Sequence, residues 1–303
     1  MSTAPLPSLA DQPDWEQPGL EVVCPLCEYN LRGLTEPRCP ECGYQFVWRE
    51  LLDPARRVHP YLFEHKRGLA IGAFFKTAWM NLRPGRFWRT LGPQQPSKPR
   101  RLIAYWIVVA CVAGAGVFGA HGISELRYYL DVNVATSGTI IGLPYGNGMP
   151  YRYDWRNLML YLVMAAVIVA WPCITFLALM VFQISMRRAK VRPIHVLRCV
   201  IYSSSAMFWA GLASLAWEAA LFASLIALGV GRMAIYEDFG LFLTIPVGLA
   251  FTYCLIVAFR RYLRFSHVIA TILCSQLIVF LSVMAAFSLA QDAYRWFYGL
   301  HGW

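Results

Sequence analysis

The hydrophobic pattern changes character at about residue 101. Before it, apolar positions are short and broken by charges and prolines; after it, long apolar runs alternate with short charged breaks. Five runs predict helices, at 102–123, 157–182, 199–229, 239–259 and 266–290. The first, LIAYWIVVACVAGAGVFGAHGI, has no charged residue over 22 positions. At a rise of about 1.5 Å per residue that is about 33 Å of helix, enough to cross a hydrocarbon core of about 30 Å. Pro172 predicts a kink in the second run, because proline removes a donor and crowds the preceding turn. In the third, from Cys199 to Gly229, Glu218 is the one charge in 31 residues. That run is either a single long tilted helix or a spanning helix followed by a short interfacial piece ending at Gly229 and Gly231. The expected fold is mainly α: a polytopic α-helical membrane bundle of five spans with a small N-terminal module.

The same pattern divides the rest of the chain. Residues 1–20 read as a flexible tail, 21–48 as a cysteine module, and 49–101 as a basic and aromatic connector. Outer loops fall at 124–156 and 230–238, basic loops at 183–198 and 260–265, and an outer tail at 291–303. Within the connector, Ile71, Phe74, Phe75, Ala78, Trp79 and Leu82 make a broad apolar side among Lys76, Arg83, Arg86 and Arg89. Arg83-Pro84 should end one helix, with a short one following through Phe87, Trp88 and Leu91. Aromatics interleaved with cations suit an interfacial helix. In the long outer loop, Ser137-Gly138 and Asn147-Gly148 read as turns, and Thr139 to Leu143 as a strand of a small hairpin.

Composition supports the membrane reading. Charged residues make up 15% of the 303 and hydrophobic ones 58%, against about 25% charged for ordinary soluble domains. This excludes both a soluble globule and a disordered chain, which needs low hydrophobicity. The formal net charge of +10 serves orientation. Residues 1–101 hold 14 Lys and Arg, the 183–198 loop 5 and the 260–265 loop 3, against 5 elsewhere: Arg127, Arg152, Arg156, Arg232 and Arg295. Cations stay on the cytoplasmic side, so the N-terminus is expected in the cytoplasm and the C-terminus outside. No signal peptide is expected: residues 1–20 carry four prolines and three acids and no apolar core.

The chemistry concentrates in CPLCEYNLRGLTEPRCPECGYQF, residues 24–46. Two C-x-x-C pairs, Cys24/Cys27 and Cys39/Cys42, are separated by eleven residues. Each pair can present two sulfurs to one ion, and four thiolates suit tetrahedral zinc. With every coordination position taken by protein, no open position remains for water or substrate, so one structural zinc is expected. A redox dithiol, and iron or another metal in place of zinc, are the competing readings. Gly43 follows Cys42, where a knuckle calls for positive φ. Val22–Val23, Tyr29–Leu31 and Tyr44–Val47 are candidate strands or extended arms of a miniature ribbon. So short a module cannot bury a useful apolar core, so metal must supply most of its folding free energy. Arg32, Arg38 and Arg49 are matched by Glu28, Glu36 and Glu41, which disfavours nucleic acid. Tyr29, Leu31, Leu34, Tyr44 and Phe46 exceed what so small a fold can hide, pointing to a cytoplasmic protein partner. Cys111, Cys173, Cys199, Cys254 and Cys274 read as small hydrophobic filler.

Two polar groups in the apolar part are candidate functional sites. Intramembrane carboxylates are functional candidates by default, which singles out Glu218; its depth places it near the outer headgroups, with Arg232 or Arg156 as its expected partner. Gln276, mid-way along the fifth run, needs a partner. Ser203, Ser204 and Ser205 open the third span. Ala115/Gly119 and Gly116/Ala120 are small-x-x-x-small pairs that let helices approach closely; self-association is left open. No phosphate loop, dinucleotide fingerprint, metalloprotease or nucleophile-elbow motif occurs, so no enzyme is expected.

The outline is similar to prepilin peptidases, which can carry two cytoplasmic C-x-x-C pairs, but Glu218 and the Glu237-Asp238 loop do not match their catalytic aspartates. The segment from Cys24 to Gly43 resembles the N-terminal ribbon, C-P-x-C-x-Y-x-L-R-G-L then C-P-E-C-G, of multi-pass inner-membrane proteins of planctomycete-type bacteria. The basic aromatic lead-in and five spans are similar in topology to Yip1-like membrane proteins. The Yip1-like resemblance implies membrane organisation or partner recruitment. The expected role is an integral membrane scaffold or adaptor in a bacterial cytoplasmic membrane, contacting the lipid bilayer and a cytoplasmic protein. The alternative is a small transporter or channel-like subunit with a polar path near Glu218 and Gln276.

Overall fold

The computed structural model describes residues 13, 15–16, 21–53, 58–66, 68, 70–136, 155–185, 191–228, 239–263 and 268–301. Their order is α1 (Trp48–Leu52), a 3₁₀ turn (Phe63–His65), α2 (Ile71–Asn81), α3 (Pro84–Thr90), α4 (Pro99–Thr136), α5 (Trp155–Ser185), α6 (Pro193–Ser203), α7 (Ser205–Leu228), α8 (Phe239–Ala258), a π turn (Phe259–Leu263) and α9 (Val268–His301). Among these residues no strand forms, and two isolated bridges, Val23–Asn30 and Arg38–Gln45, take the place of the expected arms. Among the described residues, four stretches are long and apolar enough to cross a membrane: Pro99–Arg127, Pro193–Ser224, Ile245–Leu263 and Val268–Leu289. A shorter apolar stretch, Ala165–Val181, lies within α5. The chain is a mainly helical, polytopic membrane protein with a four-cysteine module near its N-terminus.

Several expectations change. Within the third run the helix breaks at Ser204, so that a short helix, α6, precedes α7; the trailing piece at Gly229 and Gly231 lies outside the described residues. The side-chain amide of Asn81 donates to the Tyr202 carbonyl, the acceptor that Ala206 would use in a continuous helix. A side chain inserted in the ladder breaks it there. Residues 193–198, expected in a basic loop, are the first two turns of α6, and His195, Val196 and Arg198 are buried. The loop at 260–265 likewise begins as a π turn. α4 runs on to Thr136 and α9 to His301, into the stretches expected as outer loop and outer tail. The predicted hairpin at Thr139 to Leu143 lies outside the described residues. The connector matches its pattern, with α2 and α3 meeting at Arg83-Pro84.

The chain forms two compact units. The first comprises Met1–Trp106, Thr175–Ser203 and Thr252–Gln276. Its core is aromatic: Phe74 lies on Tyr105 at 4.9 Å, Tyr105 on Tyr202 at 5.3 Å, Tyr202 on Phe87 at 5.4 Å, and Trp88 on Tyr262 at 5.4 Å. Such pairs contribute about 0.5–1.5 kcal/mol each beyond burial. Thr77 of α2 ties in the 3₁₀ turn by accepting the Phe63 N–H at 3.1 Å.

The second unit comprises Ile107–Ile174, Ser204–Phe251 and Leu277–Trp303. Here α4 and α7 meet backbone to backbone. A Cβ on Gly116 would lie 2.3 Å from the Gly211 carbonyl oxygen, and one on Gly211 would lie 2.7 Å from Ala113 Cα. Of the two small-residue pairs, Gly116/Ala120 faces this contact, whereas Ala115 is exposed. We predict that Gly116→Val or Gly211→Val lowers the thermal midpoint of the detergent-solubilised chain by several degrees, the overpacking cost being about 1–3 kcal/mol. Gly114→Ala, whose Cβ meets nothing within 4 Å, should leave the midpoint unchanged or raise it.

Candidate metal centre and the polar network beneath it

Each C-x-x-C pair folds into the same knuckle. The Glu28 N–H donates to the Cys24 carbonyl and the Gly43 N–H to the Cys39 carbonyl, both at 2.9 Å. The Cys24 N–H donates to Tyr29 and the Cys39 N–H to Tyr44, closing each loop. This turn demands a left-handed residue after the second cysteine. Gly43 meets it at φ 72°, and Glu28 meets it at φ 63°, a conformation few non-glycine residues adopt.

The turns bring four sulfurs together, all within 4.8 Å of one another. Cys24 and Cys42 are 3.6 Å apart, Cys27 and Cys39 3.5 Å. Four sulfurs about 2.3 Å from a tetrahedral ion would be separated by about 3.8 Å. The donor set therefore fits one metal ion held by thiolates and leaves it no open position. The hydrogen bond from Cys42 holds the Cys24 thiol down to about 5. Burial pushes Cys27 up to about 12, and the bond to Cys24 followed by burial drives Cys42 up. Metal binding must displace the protons of the thiols it ligates.

The ribbon is docked, not loose. At the N-terminus of α6 the Arg192 N–H donates to the Leu26 carbonyl at 3.0 Å, and the Arg192 guanidinium pairs with Glu28 at 2.6 Å. His195 Nε2 donates to the Pro25 carbonyl at 2.8 Å. Its Nδ1 therefore accepts from the Tyr262 hydroxyl, also at 2.8 Å. Tyr262 in turn accepts from Arg198 Nη1 at 3.0 Å. A directed chain of hydrogen bonds thus runs from Arg198 to the first knuckle.

Arg198 is fully buried, and so is its partner Glu64 of the 3₁₀ turn. Arg198 donates to Glu64 Oε2 from Nε at 2.9 Å and from Nη2 at 2.7 Å. Its remaining N–H groups reach Tyr262 and the carbonyls of Gln95 and Pro96. All the guanidinium donors are used. Glu64 also accepts from the Tyr202 hydroxyl at 3.1 Å and from the Lys98 N–H at 2.5 Å.

This network is absent from the sequence expectations. One signal is visible in hindsight. His195, Arg198 and Tyr202 share a helical face at i, i+3 and i+7, and Glu64 is an acid set among aromatic and apolar neighbours in YLFEH. The four cysteines are found together as expected. Glu218 pairs with Arg127, at 3.5 Å, at the end of the α4 span. Arg232 and the Arg156 side chain lie outside the described structure. Gln276 is buried and donates to Thr175 at 3.3 Å. Ser203, Ser204 and Ser205 are buried at the α6–α7 break. Of the head aromatics and leucines, Leu31 and Phe46 are buried, with Phe46 edge-on to Trp48 at 4.7 Å. Trp15, within the expected tail, packs on Trp48 at 5.3 Å.

No family model, curated protein or solved structure matches the chain.

Two tests follow. Arg198→Met or Glu64→Gln alone strips a buried charge of its partner and should cost about 3–5 kcal/mol, read as a lower thermal midpoint; the double variant should lose less than the sum of the two. The second concerns pH. Burial, with the His65 and Arg198 charges, holds His59 down to about 4, and burial lowers His65. His65 Nδ1 accepts the His59 N–H at 2.7 Å, a bond that protonation removes. The unfolded chain takes up these protons first, so stability is present above about pH 6.5 and falls as pH drops through 6.5 towards 4. Hydrogen exchange at residues 58–66 should rise over that window, and His59→Gln should flatten the response.

Proposed function

We propose that this protein is a non-enzymatic scaffold or adaptor of a bacterial cytoplasmic membrane, with a structural zinc ribbon that presents a recruitment surface to a cytoplasmic protein. Zinc is the metal that four thiolates in a closed tetrahedral set suit best. The distribution of Lys and Arg supports a cytoplasmic ribbon.

The carrying observation is the docking of the first knuckle. Pro25, Leu26 and Glu28 are engaged with α6, so the ribbon stands on a rigid base. Val23, Tyr29 and Val47 are left 47%, 40% and 47% exposed. Rigid aromatic and apolar side chains on a fixed support make efficient contact surfaces, because little freedom is lost on binding. The membrane groups favour a scaffold over a transporter: Glu218 is paired with Arg127 and Gln276 with Thr175, whereas a transport path needs polar groups turned towards an aqueous cavity.

Purified full-length protein should hold one zinc per chain, and Cys24→Ser/Cys27→Ser should lose it. Affinity capture in detergent should recover a cytoplasmic protein with wild type, lose it with that variant, and lose it with Tyr29→Asp, which keeps the zinc. Capture that is indifferent to all three substitutions would end the adaptor proposal.

A further inference from the structure

Helix α2 presents three distinct sides. At about 100° per residue, Phe74, Thr77, Ala78 and Asn81 occupy one arc, and all four are buried. Next to it, Ile71, Phe75 and Trp79, with Leu82 at the C-cap, span about 80°. These four are 67%, 50%, 63% and 49% exposed. Lys76 lies beyond them and is exposed. Arg83, Arg86 and Arg89 follow at three-residue spacing, also exposed. A helix held by one face has no need of a second apolar face unless that face meets something apolar.

The height of α2 says what that is. Its buried Phe74 rests on Tyr105, three residues into the uncharged stretch that begins at Leu102, or about 5 Å along α4. Arg100 and Arg101 mark the charged entrance just before that stretch. Ile103, two residues before Tyr105 on α4, is 46% exposed. α2 therefore lies at the level where the spanning helix passes from headgroups to acyl chains. An apolar arc of large side chains flanked by cations is the chemistry of that boundary.

We propose that α2 and α3 are a lipid-docking surface: Ile71, Phe75, Trp79 and Leu82 insert into the ribbon-side leaflet, and Arg83, Arg86 and Arg89 select anionic headgroups. The proposal rests on the membrane fold and not on recruitment by the ribbon, so each can fail alone.

The test places the photoreactive residue p-benzoylphenylalanine at position 74, 75, 79 or 45 of the full chain, in vesicles of equal phosphatidylglycerol and phosphatidylcholine. Adducts are identified by mass spectrometry. Positions 75 and 79 should give lipid adducts, position 74 adducts within the chain, and position 45 on the ribbon no lipid. Phosphatidylglycerol adducts should exceed phosphatidylcholine adducts about fivefold, the effect of one cation near an anionic headgroup. Replacing Arg83, Arg86 and Arg89 by Gln should bring that ratio near one, and replacing them by Lys should preserve it. Absence of lipid adducts at 75 and 79, or adducts there to a second protein chain, would overturn the docking surface. A ratio unmoved by the Gln variant would overturn headgroup selection.

Discussion

The first unit is organised around a guanidinium and a carboxylate sealed from solvent. Moving such ions out of water costs several kcal/mol each even after relaxation, and their attraction offsets this only when every donor is satisfied. Arg198 meets that condition: its donors divide among Glu64, Tyr262 and the carbonyls of Gln95 and Pro96. The requirement is geometric as well as energetic. It fixes the 3₁₀ turn, the Gln95–Lys98 backbone, α6 and the π turn against one another, because each supplies one of the groups that neither ion can do without. The rings of Tyr202 and Tyr262 serve twice, as hydroxyl partners of the pair and as plates of the aromatic core.

From that centre the constraint passes to the ribbon through Tyr262 and His195. The direction of each hydrogen bond follows from the one before: the Pro25 carbonyl can only accept, so His195 donates from Nε2 and accepts at Nδ1. The ribbon is too small to hold its own apolar core, and it borrows order from two sources, the ion its sulfurs would bind and the helix beneath it. Glu28 shows the trade locally. A left-handed backbone is costly for a glutamate, and glycine would relieve it, as Gly43 does in the second knuckle. The side chain that glycine would lack is the one that pairs with Arg192.

In the apolar part, two of the described polar groups meet a polar partner. Glu218 and Arg127 neutralise each other near the end of a span, and the Gln276 amide finds Thr175. The contact of Asn81 with Tyr202 separates α6 from α7. The break turns α6 into a polar-faced helix of the ribbon-bearing unit and leaves α7 free to lie on α4 through glycine.

The class of protein, the approximate positions of the apolar helices, the α2–α3 pair and the four-sulfur cluster were legible in the chain, because each is set by local pattern: run length against bilayer thickness, Pro84 after Arg83, and C-x-x-C spacing that closes a knuckle within five residues. The buried network was not legible. Glu64 and Arg198 are 134 residues apart, and in sequence Arg198 is one more cation in a basic loop, indistinguishable from Arg192. Similarly, the helicity of Phe74 and Phe75 followed from their neighbours, but only packing against Tyr105 turned one inward and left the other out. Covalent spacing and solvent preference act on adjacent residues and can be read along the chain. The choice of partner for a buried charge depends on which distant groups arrive beside it, and that is decided only when the chain has folded.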